Sequence, residues 1–225
     1  MHRRLVLLGP PAAGKGTQAE LLQERYGFQA PSVGAMLREQ KAAGTPLGLR
    51  AAEYFERGLL VPDEVSIEVV RQWLSGHDGS WVLDGYPRTV RQAEAFESML
   101  AGLGLSVDLA ILVEADESVI RDRVAHRLVC KQCGGVFRAG MHVALPTDPC
   151  PRCHGHLGRR ADDSLDALAG RLTEYHMKTE PVIGWYKARA VLHRIDGNRG
   201  IDTVSSDFSQ ALNAASNAAP THGTP

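Results

Sequence analysis

Long apolar runs are missing from this chain, and so is an excess of charge of either sign. No stretch approaches the roughly 20 apolar residues that cross a bilayer. Met1-His2-Arg3-Arg4 leads into only four apolar residues before Gly9, too few for the apolar region of a secretion signal. Lys and Arg number 25 against 26 Asp and Glu, a formal net charge of -1. A nonspecific nucleic-acid binder is usually clearly basic, so a local cationic cleft within a near-neutral envelope fits better. Cysteine is scarce too. The four present fall in two C-x-x-C pairs, which in a reducing compartment suggests metal rather than disulfides. The expectation is a soluble, cytoplasmic monomer with no membrane or nucleic-acid partner. Its 225 residues suit one core carrying inserted subdomains.

Short apolar segments are present instead. Leu5-Val6-Leu7-Leu8 is apolar at consecutive positions, the pattern of a strand covered on both faces. Val82-Leu83, Leu109 to Val113 and Val191 to Ile195 are further strand candidates, and Phe28 to Pro31 offers a short fifth. Helical stretches lie between them. Thr17 to Tyr26 carries Leu21, Leu22 and Tyr26 as a stripe, with Gly27 as a stop. Asp116 can cap a helix running through Val119, Ile120 and Val124. Strands alternating with helices predict an α/β fold with a doubly wound, five-stranded parallel sheet. Two segments break the alternation: Ser32 to Asp63 reads as helices without a strand, and Leu128 to Asp163, rich in Gly, Cys, Pro and Arg, reads as a small separate lobe. The Ala/Ser/Asn/Thr-rich tail, 216–225, is expected to lack order.

Gly9-Pro10-Pro11-Ala12-Ala13-Gly14-Lys15-Gly16-Thr17 follows the first strand and opens the first helix. Glycines let such a loop turn backbone N–H groups toward a phosphate, and the helix N-terminus adds partial positive charge. Lys15 supplies a full charge for the outer phosphates, and Thr17 a hydroxyl for Mg²⁺. Cys130-x-x-Cys133 and Cys150-x-x-Cys153, sixteen residues apart, have the spacing of a tetrahedral four-thiolate zinc site. Such a site leaves no position for water, so the zinc is structural. Gly134-Gly135 and Gly155 follow the two knuckles.

The loop's G-K-G-T ending resembles the nucleoside monophosphate kinases. Asp84-Gly85-Tyr86-Pro87-Arg88-Thr89 resembles the D-G-[FY]-P-R-T motif of the adenylate kinases among them. Leu60-Val61-Pro62-Asp63-Glu64 and Arg171-Leu172-Thr173-Glu174-Tyr175-His176 match further family segments, and the resemblance spans roughly residues 4 to 205. It implies Mg²⁺-dependent phosphoryl transfer between ATP and AMP, yielding ADP, on a P-loop core of residues 1–31, 64–126 and 165–215. An NMP-binding insert would occupy 32–63 and a zinc-bearing lid 127–164. By the same resemblance Lys15, Arg88, Arg123, Arg127, Arg160, Arg171 and Asp84 are catalytic. Ala12, Ala13, Gly14, Gly16, Thr17, Val136, Phe137 and Arg199 join Lys15, Arg123 and Arg127 around ATP. Val33, Arg38, Leu59, Leu60, Val61, Gly85, Tyr86, Pro87 and Gln92 join Arg88, Arg160 and Arg171 around AMP. Gln92 matches the family glutamine that pairs with the adenine edge.

The chain departs from the family pattern in places. Ala12 stands where Gly is usual, and Ala tolerates positive φ poorly. Val33 replaces a Thr or Ser and Ala35 an Asp, which bears on acceptor choice. Leu128 replaces a frequent Arg, and Phe137-Arg138 an aromatic-His pair. UMP or CMP as acceptor is one competing reading. A zinc-ribbon binding module switched by ATP is another, against which stand the near-neutral charge and the lack of interleaved basic and aromatic residues at the knuckles.

Overall fold

The computed structural model describes residues 3–56, 59–143, 145–159 and 163–217. The first apolar run is strand β1 (Arg4–Leu8), followed by helix α1 (Lys15–Tyr26). Helices α2 (Val33–Ala42), α3 (Pro46–Glu56) and α4 (Asp63–Leu74) come before strand β2 (Trp81–Asp84). Helix α5 (Val90–Gly102), strand β3 (Leu109–Glu114) and helix α6 (Glu117–His126) continue the alternation. Three short strands then interrupt it: β4 (Arg127–Cys130), β5 (Val136–Arg138) and β6 (Leu157–Gly158). The chain returns through α7 (Leu165–Glu174), a π-helical turn (Tyr175–Thr179), α8 (Glu180–Ala188), β7 (Leu192–Asp196) and α9 (Ile201–Asn217).

Strands β2, β1, β3 and β7 lie side by side in that order, all parallel. Consecutive residues of β1 serve opposite faces of this sheet. Val6 and Leu8 join Leu83, Leu112, Phe96 and Tyr186 in one core, under α2 to α5 and α8. Leu5 and Leu7 join Ile111, Val113, Leu22 and Phe208 in the other, under α1 and α9. A strand buried on both faces cannot alternate with polar residues, which is why the run was uniformly apolar.

The expected fifth strand is not a ladder among the described residues. Gln29 and Ser32 make single parallel bridges to Trp81 and Asp84. Gln29 donates to the Ser80 carbonyl (2.9 Å) and accepts from Val82 N–H (2.8 Å). The next donor in register would be residue 31, and Pro31 has no N–H, so one rung is missing before Asp84 N–H donates to the Pro31 carbonyl (3.3 Å).

Helix ends also differ in detail. Gly27 ends α1 in the left-handed region, as expected. Tyr26, however, is exposed, with its hydroxyl on Ser209 (2.8 Å), and the buried face of α1 is Gln18, Ala19 and Leu22. Asp116 occupies the cap position of α6, but its side chain makes no capping bond; its N–H instead donates to Asn198 Oδ1. The expectation of an unstructured tail from residue 216 falls mostly outside the described residues, although α9 runs to Asn217.

Between α6 and α7 the chain forms a three-stranded antiparallel sheet in the order β5-β4-β6. Ile120 and Val124 of α6 pack on Leu168 and Leu172 of α7. No helix among the described residues is long and apolar enough to cross a membrane.

Candidate active site and metal centre

The loop between β1 and α1 is held in a conformation that only part of its sequence favours. Gly9 has φ +132°, and a Cβ there would lie 2.2 Å from the Val113 carbonyl oxygen, so no other residue fits. Gly14 has φ +107°, and Ala12 takes φ +60° despite its Cβ. Left-handed backbone costs a non-glycine residue about 1 kcal/mol or more. Part of this is offset because Ala12 packs against the α6–α7 cluster.

Lys15 Nζ donates to the carbonyls of Gly9 and Pro10, both at 2.7 Å, so the ammonium caps the loop's open side. Arg123 reaches across from α6. Its Nη1 donates to Ala13 O (2.8 Å) and its Nη2 to Gly197 O (2.5 Å), tying the loop to α6 and to the end of β7. Asp84 ends β2 in register with Leu7, and a Cβ on Gly16 would lie 3.5 Å from its Oδ2. A carboxylate and an ammonium thus flank the N-terminus of α1.

The remaining cations converge on the same place. Burial pulls the Lys15 ammonium down to about 8; Asp84 opposes that shift, while the positive charges of Arg88, Arg171 and Arg127 add to it. The residue keeps some surface, but its ammonium lies among backbone carbonyls rather than in water. Arg88 is held by Nε donating to Gly85 O (2.8 Å), and burial, then Arg171 and Arg38, lower its pKa, with Asp84 acting in the opposite sense. Arg127 Nε donates to Asp163 Oδ2 (2.7 Å), with Arg171 3.8 Å from the other oxygen. Lys15 is therefore within electrostatic reach of Arg88, Arg127 and Arg171, and Arg88 of Arg171 and Arg38, with Asp84 and Asp163 as counter-charges.

Other expected site residues fall differently. Arg160 lies outside the described residues. Arg199, in the turn between β7 and α9, pairs with Asp196 and Asp207. Val136 is exposed and Phe137 half-buried, edge-on to His142. Val33 and Val61 are buried in the main core, while Leu59 is exposed. The Tyr86 side chain is buried edge-on to Phe96, so any acceptor contact falls to its backbone. Gln92 is buried, with one bond on each end of its amide: Nε2 donates to Asp63 Oδ1 (2.7 Å) and Oε1 accepts from Arg88 N–H (2.7 Å). Asp63 and Thr89 complete this network, and sequence reasoning assigned them no role; Asp63 showed only within a family-like segment at the end of the helical stretch, and Thr89 only as the last residue of the Asp84–Thr89 motif.

The four cysteine sulfurs lie within 4.8 Å of one another. Cys130 and Cys153 Sγ are 3.4 Å apart, and Cys133 and Cys150 Sγ 3.7 Å. These distances exceed a disulfide bond and approach the edge of about 3.8 Å that a tetrahedron with Zn–S near 2.3 Å requires. Two backbone N–H groups, of Cys133 and Arg152, point at Cys130 and Cys150 Sγ, as thiolates need. The two knuckles repeat one bonding pattern. Gly134 N donates to Cys130 O and His154 N to Cys150 O; Cys130 N donates to Gly135 O and Cys150 N to Gly155 O. The left-handed position is Gly134 in the first but His154 in the second (φ +60°). Gly155 is buried beneath the Gln132 side chain, whose Oε1 a Cβ there would meet at 2.2 Å.

A doubly wound parallel sheet, a phosphate loop at the end of its central strand and a converging set of cations define a P-loop phosphotransferase. The family model for adenylate kinase matches residues 7–191. An adenylate kinase of Geobacillus sp. (strain WCH70) is 42% identical over 210 residues, 92% of this chain and 97% of its own. One from Symbiobacterium thermophilum is 39% identical over 217 residues, covering 96% and 100%. One from Archaeoglobus fulgidus is 40% identical over 210 residues, covering 92% and 97%. The chain belongs to the adenylate kinase family.

Proposed function

We propose that this chain reversibly transfers the terminal phosphoryl group of ATP to AMP, giving two ADP, as a cytoplasmic monomer acting on small molecules. The observation that carries the reading is the convergence of Lys15, Arg88, Arg127 and Arg171 at the phosphate loop, with Asp84 beside them. The acceptor is itself a phosphate, ionised near neutral pH, so no general base is required. Positioning and electrostatic stabilisation of the migrating group supply the catalysis.

The loop from Ala12 to Thr17 and the N-terminus of α1 would cradle the donor phosphates, with Lys15 on the outer ones. Arg127 and Arg171, with Arg160 by the family resemblance, would surround the group in transit. Arg123 fixes the loop. Arg38 and Arg88 would hold the acceptor's phosphate, since guanidinium groups bind phosphate oxygens bidentately. Magnesium would enter with ATP and neutralise charge on its phosphates. Thr17 hydroxyl and Asp84, the latter through water, make an oxygen donor set suited to that hard cation. Gly85, the backbone of residues 59–61 and 86–87, and Gln92 would form the acceptor-base pocket.

In this reading residues 32–63 form the acceptor insert and 127–164 a lid that closes over the site. Closure excludes water, which would otherwise accept the phosphoryl group. Zinc bound by Cys130, Cys133, Cys150 and Cys153 would give so small a lobe most of its folding energy.

The test is ADP formation from ATP with AMP, CMP, UMP and GMP in turn. AMP should give the highest kcat/KM. Lys15→Met and Arg88→Ala should each lower it by two orders of magnitude or more, since a preorganised stabiliser is worth on the order of 3 kcal/mol. Arg25→Ala is the control, its guanidinium being engaged with Ser205 between α1 and α9. Near-normal turnover by either site variant would refute the assignment.

A further inference from the structure

The start of α4 and the start of α5 are joined by a closed ring of hydrogen bonds with an ionisable residue at its centre. Asp63 Oδ1 accepts from Gln92 Nε2 (2.7 Å) and Asp63 Oδ2 accepts from Thr89 Oγ1 (2.9 Å). Thr89 Oγ1 in turn accepts from Gln92 N–H (3.1 Å), capping α5. Arg88 N–H donates to Gln92 Oε1 (2.7 Å). The amide of Gln92 is therefore clamped between an acceptor on its nitrogen side and a donor on its oxygen side.

A primary amide can be turned over by 180° about its last side-chain bond with little change in shape, and only its hydrogen-bond partners decide between the two orientations. Here both partners decide the same way. Turning Gln92 over would set Oε1 against the Asp63 carboxylate and Nε2 against the Arg88 N–H. Two bonds would be lost, and like would face like at both ends. In the clamped orientation one N–H and one oxygen lone pair remain to be offered to a ligand, in a fixed order.

That order has a chemical consequence for a base edge. In a 6-aminopurine an exocyclic N–H donor stands beside a ring nitrogen acceptor. In a 6-oxopurine an exocyclic carbonyl acceptor stands beside a ring N–H donor. One amide orientation pairs with the first edge, and only the reverse orientation pairs with the second. Cytosine presents the same order as adenine, and uracil the same order as hypoxanthine.

We propose that Asp63 is a specificity-determining positioning residue: its carboxylate locks the Gln92 amide so that the acceptor pocket takes amino bases and rejects their oxo counterparts. Asp63 acts through Gln92 and not on the base itself. The proposal rests on the reading above, in which AMP is the acceptor and Gln92 reads its base. It adds to that reading the residue that sets the direction in which Gln92 is read. The clamp also links base to phosphate, since the Arg88 that donates its N–H to the amide carries the guanidinium assigned to the acceptor's phosphate.

The experiment compares AMP, IMP, CMP and UMP as acceptors at saturating MgATP, in the full-length enzyme and in Asp63→Asn and Asp63→Ala. Asp63→Asn preserves shape and can donate as well as accept, so it no longer opposes the reversed Gln92 amide and leaves only the Arg88 N–H to do so; Asp63→Ala removes the partner. In both variants the ratio of kcat/KM for IMP to that for AMP should rise about tenfold, the scale set by losing one charge-assisted bond that enforced the choice. UMP should gain in the same way relative to CMP. The CMP-to-AMP ratio should stay within about twofold, because both edges use the same orientation, and the loss for AMP should appear in KM more than in kcat. Equal losses for all four acceptors in Asp63→Asn, with unchanged ratios, would overturn the proposal and leave Asp63 a structural brace. Should Asp63→Ala not fold, Asp63→Asn alone decides, being the same size. Failure of the unsubstituted enzyme to make ADP from ATP and AMP would instead remove the underlying reading, and that outcome is scored before any variant is measured.

Discussion

Asp163, its carboxylate fully shielded from solvent, receives both Nε and Nη2 of Arg127, with Arg171 3.8 Å from one of its oxygens. One buried anion thus separates two guanidinium groups that the phosphate site needs close together. Without bound nucleotide, Asp163 is the only charge shown to hold Arg127 in place among the described residues.

Replacing Asp163 by Ala should therefore destabilise the protein by on the order of 3 kcal/mol, the scale of breaking a buried pair by removing one partner. Two cations would then face each other without an anion between them. Inorganic phosphate or ATP should recover part of the loss, because a ligand that binds the folded state selectively stabilises it. Urea unfolding of parent and variant, with and without phosphate, tests this. A variant within 1 kcal/mol of the parent in phosphate-free buffer would contradict it.

The four-sulfur cluster predicts one zinc ion per chain. Elemental analysis of protein purified without chelator should give a stoichiometric metal. A strong chelator should release it, raise the number of reactive thiols to four and lower the melting temperature. Cys150→Ser, at a fully buried ligand position, should also lower the melting temperature, while a folded sample at low temperature keeps most of its turnover. Metal-free protein with unchanged stability would exclude the site.

His154 offers a gain rather than a loss. It occupies in the second knuckle the left-handed position that Gly134 occupies in the first, and it is exposed. His154→Gly should stabilise the knuckle by about 0.5–1 kcal/mol, since glycine takes φ > 0 without steric cost. For a chain of this length 1 kcal/mol is about 2–4 °C in melting temperature. Calorimetry that finds no increase would show that some contact of the imidazole offsets the backbone strain.

These particulars mark what could be seen in the sequence. The sheet was visible because Leu5 to Leu8 and Leu109 to Val113 are buried on both faces, which leaves an uninterrupted apolar signature. The phosphate loop and the cysteine spacing were visible because each is a local pattern in which chemistry fixes the separation of residues. Tyr26 was misplaced because a periodic stripe ranks an aromatic above Gln18, yet Gln18 is buried with its amide on Ile201 O (3.3 Å). The left-handed turn of the second knuckle was not visible, because nothing local marks His154 as left-handed. The clamp on Gln92 was invisible for a different reason. Residues 63 and 92 meet only when α4 and α5 pack, and no periodicity or spacing encodes that contact.

The last expectation concerns pH. In the ligand-free protein, burial lowers the Lys15 ammonium from its usual 10.5 to about 8. Between these values the unfolded chain holds a proton on Lys15 that the folded chain has released, so this residue's contribution makes stability rise with pH across that window. Below pH 8 both states are protonated and the buried charge carries its full cost. Nucleotide binding runs the other way. A phosphate beside Lys15 favours the charged form, so binding above pH 8 must take up a proton, and MgATP affinity should fall by up to about tenfold per pH unit until the bound-state pKa no longer holds the proton. Titration calorimetry of MgATP at pH 9, in two buffers of different ionisation enthalpy, measures that uptake directly. The expected value approaches one proton per site for the parent and falls toward zero in Lys15→Met. Equal heats in the two buffers for the parent would mean that the lysine is already fully charged at pH 9, and the argument from its burial would be wrong.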